Sequence, residues 1–166
     1  MENIVNKIIE INRVTESFES KLNNIHGEEF CNQISENLKI QTINYPPKTN
    51  KFSDLWLCFD FSKLSLFNVI FYNESHFENG GLIIGSISED NIVLFEDQII
   101  IESQRQNFNF LSFNKFIDFI GKLTYLSASN YSNEMTKEMF GNELLKFDNS
   151  KGYLDAIHYY FSGMLN

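Results

Sequence analysis

The chain has 166 residues, of which 43% are hydrophobic and 15% aromatic. This composition is enough for the packed core of one domain and excludes a disordered chain. Its 13 basic and 22 acidic side chains give a net charge of −9, which disfavours nucleic acid and anionic membranes as partners and favours a basic protein. The alternative is an acidic surface that only keeps the protein soluble.

The two cysteines, Cys31 and Cys58, are too few for a disulfide framework or for a structural zinc site. We expect both to be buried and reduced. The N-terminal segment is charged throughout, unlike a signal peptide, and no run approaches the ~20 apolar residues of a membrane-spanning helix. These features predict a cytoplasmic protein.

The N-terminal quarter of the chain is predicted to be helical. An apolar stripe at helical spacing predicts a helix over residues 3–26, and Gly27 is a suitable residue to end it. A shorter helix is predicted over residues 28–38, then a short strand over 39–43 and a proline-containing loop over 45–50. The stripe of the first helix consists of Ile4, Ile8, Ile11, Phe18, Leu22 and Ile25.

From Asp54 onwards the pattern changes to one typical of β-structure. No helical segment separates the runs, which favours an antiparallel meander over βαβ units. We interpret residues 73–79 as a polar loop and Glu96-Asp97 as the turn of a hairpin. The predicted strands cover residues 55–61 (a central strand), 66–72, 82–85, 92–95 and 99–102.

The C-terminal third is predicted to be helical again. Ser112 is a good N-cap for an amphipathic helix, which a polar loop over 127–133 follows. Met135 and Met139 suggest a further helix interrupted by Gly141, and a last helix is predicted from Tyr153. The predicted fold class is α+β, with residues 1–166 forming a single domain. It has a mainly antiparallel sheet of five to six strands with N-terminal and C-terminal helices packed on it.

No catalytic motif occurs in the chain. Gly80, Gly81 and Gly85 lack the lysine of a phosphate-binding loop, so we expect them at turn and bulge positions. The histidines lie far apart, and neither carboxylate–imidazole pair is accompanied by a nucleophile motif. No catalytic residue, cofactor or metal is therefore predicted, and we expect the protein not to be an enzyme. The two pairs are Glu74 with His76 and Asp155 with His158.

Charge is distributed unevenly along the chain. Between Lys63 and Arg105 there is no basic residue, while seven acidic residues occur there. Uncompensated like charges repel one another, which is easier to understand if a cationic partner meets them. The alternative is that these are solvated loop tips with neutralising lysines from elsewhere in the fold. The predicted partner-binding residues are Glu74, Glu78, Glu89, Asp90, Glu96 and Asp97.

The same part of the chain resembles a known family. The segments GGLIIGS at 80–86, NIVLF at 91–95, III at 99–101 and FNFLSF at 108–113, the last leading into Phe116-Ile117, resemble the SUKH superfamily. The segment from Phe147-Asp148 to Phe161 is similar to the family's closing helix. The resemblance covers residues 80 to 165, whereas the family's N-terminal segment has no counterpart here.

The resemblance implies a non-enzymatic immunity protein that binds and neutralises a cognate polymorphic toxin, such as a basic nuclease or deaminase domain. A small, acidic secretion chaperone that wraps an effector segment is the alternative. An enzyme of unrecognised type is the third hypothesis, resting only on His76 and His158 beside acidic neighbours. The sequence leaves the partner's identity and the oligomeric state open.

Overall fold

The computed structural model describes residues 2–43, 47–132, 138 and 153–161, the side chains of 153–155 and 158 excepted. The helices in these residues are α1 (Glu2–His26), α2 (Glu28–Asn37), α3 (Phe52–Trp56), α4 (Phe113–Tyr131) and α5 (Tyr153–Phe161). The strands are β1 (Gln41–Thr42), β2 (Phe59–Asp60), β3 (Ser65–Leu66), β4 (Val69–Glu78), β5 (Gly81–Ile87), β6 (Asp90–Leu94), β7 (Ile99–Glu102) and β8 (Asn107–Phe110).

Strands β3 to β8 form one antiparallel sheet in which each strand pairs with the next along the chain. Strands β1 and β2 form a separate antiparallel ribbon. The predicted α+β class and the antiparallel meander are therefore confirmed. Because β3 pairs only with Val69 and Ile70, the rest of β4 forms an edge of the sheet.

The connections of the meander lie at two opposite ends of the sheet. The β4–β5 and β6–β7 turns lie at the end where α3 meets the sheet, since the Phe52 N–H donates to the Glu96 carbonyl at 2.9 Å. The β3–β4 and β5–β6 turns lie at the other end, where Phe67 contacts Phe161 of α5. We call these the α3 end and the α5 end. The seven residues of β5 separate them by about 20 Å.

Two irregularities bend the sheet near its edge. Four residues of β4, Tyr72 to Ser75, lie opposite the single residue Ile84 of β5, and Ile84 is itself an extra residue relative to β6. Gly85 is required beside them, because an added Cβ would lie 2.3 Å from the Ile70 carbonyl oxygen. The β4 bulge moves four residues out of the ladder, where they can form part of a surface.

The core lies between the sheet and α4, and α1 packs on α4 with α2 against α1. Phe116 of α4 is fully buried and contacts rings from three parts of the chain. Its ring centroid lies 5.5 Å from Phe110 of β8, and 6.3 Å from both Phe71 of β4 and Trp56 of α3. This aromatic cluster joins α3, the sheet and α4.

The predictions for the regular helices and the hairpin are confirmed. Helices α1, α2 and α4 begin where predicted, Gly27 ends α1 with φ 83°, and β6 and β7 form the predicted hairpin. Gly80 lies in a turn with φ 82°. Of the helix predicted around Met135 and Met139, the structure describes only residue 138.

Four predicted elements are wrong. The single strand predicted over 66–72 is instead the end of β3 and the start of β4, because the chain reverses at Phe67, which has φ 52°. The central strand predicted over 55–61 is instead the end of α3 followed by the short strand β2, because Phe52, Leu55 and Trp56 follow a helical spacing. The loop predicted over 73–79 belongs to β4 up to Glu78. The loop predicted over 127–133 is helical up to Tyr131, since small serine side chains bury against the core at Ser127 and Ser129.

The role of Phe116 can be tested by truncation. We expect Phe116→Ala to lower the free energy of unfolding by about 3–5 kcal/mol, because it leaves a cavity where several rings meet. Urea denaturation followed by circular dichroism measures the change. Phe77→Ala is the matched control, because Phe77 is 80% exposed and its loss should change stability little. Equal losses for the two variants would contradict the packing described here.

Candidate functional site

A concave apolar surface lies at the α3 end, between the β1–β2 ribbon and the bulged edge of β4. Its volume is about 320 Å³, and we call it the Trp56 groove. Its apolar and aromatic lining residues are Ile43, Trp56, Leu57, Phe59, Phe61, Tyr72, Leu82 and Leu94. Its polar lining residues are Ser53, Asp60, Ser62, Asn73 and Ser75.

The short helix α3 positions one wall of the groove. Phe52 and Leu55 are buried and fix α3 to the core, and Phe52 contacts Phe113 of α4 edge-on at 5.5 Å. Half-buried Trp56 stacks on Phe61 with a centroid distance of 4.3 Å and an interplanar angle of 11°. The chain then places Leu57 at the rim, where it is 63% exposed.

An apolar row runs across the sheet into this groove. Phe77, Leu82 and Leu94 are directly opposite one another on β4, β5 and β6, so their side chains lie on the same face of the sheet. Leu94 is buried, Leu82 is half-buried and Phe77 is 80% exposed. With Ile43, which is 60% exposed, the row gives the groove an uncovered apolar margin.

Asp60 is the only carboxylate among the described residues that line the groove. Its Oδ1 accepts hydrogen bonds from the Ser62 hydroxyl at 2.5 Å and from the Ser62 backbone N–H at 2.9 Å. The hydrogen bond from the Ser62 side chain holds the pKa of Asp60 below its usual range, with a further contribution from Lys63 nearby. Asp60 is therefore a fixed, ionised group beside apolar walls.

The six carboxylates predicted to bind a partner do not form one surface. Glu78, Glu96 and Asp97 lie at the α3 end, and Glu74 lies in the β4 bulge between two residues that line the groove. Glu89 and Asp90 lie in and beside the β5–β6 turn at the α5 end. A separation of about 20 Å exceeds the screening length of about 8–10 Å at physiological salt, so the two groups act separately.

The carboxylates of the α5 end have neighbours within the fold. Asp90 Oδ2 accepts a hydrogen bond from the Tyr160 hydroxyl at 2.6 Å, and Arg105 lines the same shallow groove as Glu89 and Asp90. Burial, together with the Asp90 carboxylate, raises the pKa of Tyr160 strongly. This hydrogen bond holds α5 against the start of β6, which gives Asp90 a structural role.

The carboxylates of the α3 end are more open. Glu96 pairs with Lys51 through a 2.6 Å contact between exposed side chains, so one lysine from outside the acidic window does supply a compensating charge. Within the described residues no ion pair involves Glu74, Glu78 or Asp97, and all three are exposed. Glu78 and Asp97 lie at the same end of the sheet as Phe77, with the Glu78 side chain on the opposite face of β4, and Glu74 lies in the bulge.

The two cysteines and the two carboxylate–imidazole pairs of the sequence analysis lie outside the Trp56 groove, except where their side chains are not described. Cys31 and Cys58 are buried free thiols, and burial raises the pKa of each. Glu74 and His76 lie exposed on β4, whereas the side chains of Asp155 and His158 lie outside the described residues. No group of three potential metal ligands occurs in the described part of the chain.

The chain matches no protein-family model, no curated protein and no solved structure. None of the described helices is both long enough and apolar enough to cross a membrane.

The residues of the Trp56 groove were not predicted as a site from the sequence. Two local signals point to it: the helical spacing of Phe52, Leu55 and Trp56, and the Asn79-Gly80 dipeptide, which is typical of a two-residue hairpin turn. Read together, they extend β4 to Glu78 and place Phe77 on an exposed strand. The proximity of Asp60 to Trp56 depends on the tertiary fold.

The environment of Asp60 predicts a pH dependence. A carboxylate whose pKa is lowered in the folded state stabilises the protein above the ordinary Asp pKa of about 3.9, and this contribution is lost as the pH falls. Ser62→Ala should raise the pKa of Asp60 towards its ordinary value. The difference in urea midpoint between wild type and Ser62→Ala should therefore be largest near pH 6 and shrink towards pH 3.

Ser53→Ala is the control, because Ser53 lines the same groove without bonding to Asp60. A carboxyl NMR titration reports the pKa of Asp60 directly. A difference that grows on acidification would show that the Ser62 contact does not favour the ionised form.

Proposed function

We propose that the protein is a non-enzymatic binding module whose Trp56 groove and α3-end carboxylates receive a basic protein partner. The observation that carries the proposal is the groove itself: exposed apolar side chains surround an anchored tryptophan, and acidic residues border them. Exposed apolar patches with polar rims are typical of protein interaction sites, and aromatic residues at their centres contribute much of the binding energy.

The residues that line the groove suit binding better than catalysis. Its described lining contains serine hydroxyls and one carboxylate, but no histidine, cysteine or lysine that could act as a base or an activated nucleophile. Asp60 stays ionised near neutral pH, which suits the recognition of a cation.

Charge favours a basic partner over a second copy of this chain. Glu74, Glu78 and Asp97 are exposed in or near the α3 end, and two copies that met through this end would bring like charges together. A basic partner is attracted by the negative potential of these carboxylates, and this attraction accelerates association at low salt. The resemblance to the SUKH superfamily suggests the class of partner: a polymorphic toxin domain that the module neutralises by covering it.

The proposal can be tested with the protein encoded by the neighbouring gene. We expect this product to bind, with an association rate that falls about tenfold or more between low and physiological salt. Leu57→Ala with Phe77→Ala should mainly raise the dissociation rate, because apolar anchors are lost. Glu74→Lys with Glu78→Lys should mainly lower the association rate. Biolayer interferometry measures both rates.

Two further variants locate the surface. Glu102→Lys is a charge-reversal control at the α5 end, because Glu102 is exposed on β7, and it should leave both rates close to wild type. Glu89→Lys tests whether the α5 end takes part in binding as the sequence predicted. A loss of association for Glu89→Lys but not for the Glu74 and Glu78 pair would contradict the α3-end surface.

The same experiment separates an immunity protein from a secretion chaperone. An immunity protein should bind the folded toxin domain and protect cells that express it. A chaperone should bind an unfolded segment of its effector and leave the activity of the folded domain unchanged. Binding to the unfolded segment alone would overturn the immunity proposal.

A further inference from the structure

We infer that the Trp56 groove is an arginine-anchoring pocket, in which Asp60 binds the guanidinium of one partner arginine and the Trp56 ring contacts its side chain. The inference rests on the proposed function and makes it specific, because it names the side chain that the partner must insert. It is carried by the arrangement of a carboxylate, an aromatic ring and small polar groups in one concave surface.

The two oxygens of the Asp60 carboxylate have different roles. Both Ser62 bonds go to Oδ1, so the carboxylate is held in one orientation while Oδ2 remains an acceptor. A carboxylate fixed in this way loses little conformational entropy on binding a ligand. Hydrogen bonds between charged partners are among the strongest that a protein makes.

The Trp56 ring is fixed as well. One face stacks on Phe61, and the ring also lies 5.6 Å from Phe71, so it cannot rotate away without disturbing the core. Its remaining surface contributes to the groove. Tryptophan is the best aromatic partner for a cation, and the flat guanidinium stacks on aromatic rings more readily than the ammonium of lysine does.

The remaining polar groups match a guanidinium, which carries five N–H donors and no acceptor. Asn73 and Ser75, whose side chains carry acceptor oxygens, line the groove from β4. The volume of about 320 Å³ lies at the lower limit of small-ligand pockets, about 300–1,000 Å³, and so suits one long side chain. No Lys, Arg or His occurs among the described lining residues, and Lys63, which acts on the Asp60 charge, is not one of them.

The inference is tested with N-acetyl-arginine amide as the probe and the full-length protein. Trp56 is the single tryptophan of the chain, so its fluorescence reports on the groove alone, and the NMR signal of its indole N–H gives a second readout. We expect a saturable response at millimolar concentrations. N-acetyl-citrulline amide, which has nearly the same shape but no charge, should bind about tenfold or more weakly.

Two variants examine the carboxylate. Asp60→Asn keeps an acceptor for Ser62 and should weaken arginine binding about tenfold or more, while Lys63→Gln should strengthen it about twofold. Glu102→Gln removes one negative charge at the α5 end and should bind the probe as the wild type does. Circular dichroism confirms that each variant is folded. The comparison of arginine with citrulline on wild type needs no variant at all.

Equal binding of arginine and citrulline, or unchanged arginine binding by Asp60→Asn, would overturn the inference. The protein-binding proposal would still stand in that case if Leu57→Ala with Phe77→Ala weakens binding of the neighbouring gene's product. Conversely, arginine binding without any binding of that product would support the pocket and overturn the proposed partner. The two failures are therefore distinguishable.

Discussion

The contact between the aromatic face of α4 and the sheet is the constraint on which the rest of the structure depends. Phe116 lies where α3, β4 and β8 converge, and its ring has no polar atom that would need a hydrogen-bond partner in the core. Trp56 contacts Phe116 directly and also packs on Phe61 and Phe71, so one wall of the groove is continuous with the core. Under the proposed function, a groove that is ordered before binding loses less entropy than one that must order on binding.

The groove exists because the edge of the sheet is irregular. A regular β4 would continue beside β5 and leave its side chains alternating between the two faces. The bulge from Tyr72 to Ser75 instead moves four residues towards the β1–β2 ribbon, and Gly85 lets the Ile70 carbonyl approach closely. The ribbon and the bulge thus form two walls, while Leu82 and Leu94 line the surface between them.

The fold could be predicted from the sequence wherever one periodic signal dominated. The stripe of α1, the hairpin of β6 and β7 and the start of α4 depend on local patterns, and these predictions were confirmed. The region from Phe52 to Glu78 was misread, because apolar residues suited both a helix and a strand and because exposed polar residues were taken for a loop. Most residues of the candidate site lie in that region, and Ile43, Leu82 and Leu94 lie outside it. Its parts come from α3, β2 and β4, which only the tertiary structure brings together, so charge along the sequence indicated an acidic surface without locating the groove.

The outer side of β4 has a consequence for how the protein behaves when it is crowded. In the part of the chain that the structure describes, no strand covers this edge beyond Ile70, and backbone groups at such an edge are a template for joining the sheet of another molecule. The four-residue bulge breaks the straight run that such polymerisation needs, and Glu74 and Glu78 place like charges along it. The bulge and the two carboxylates therefore disfavour edge-to-edge joining of two copies through β4, so replacing Glu74 or Glu78 with an apolar residue would also affect colloidal stability.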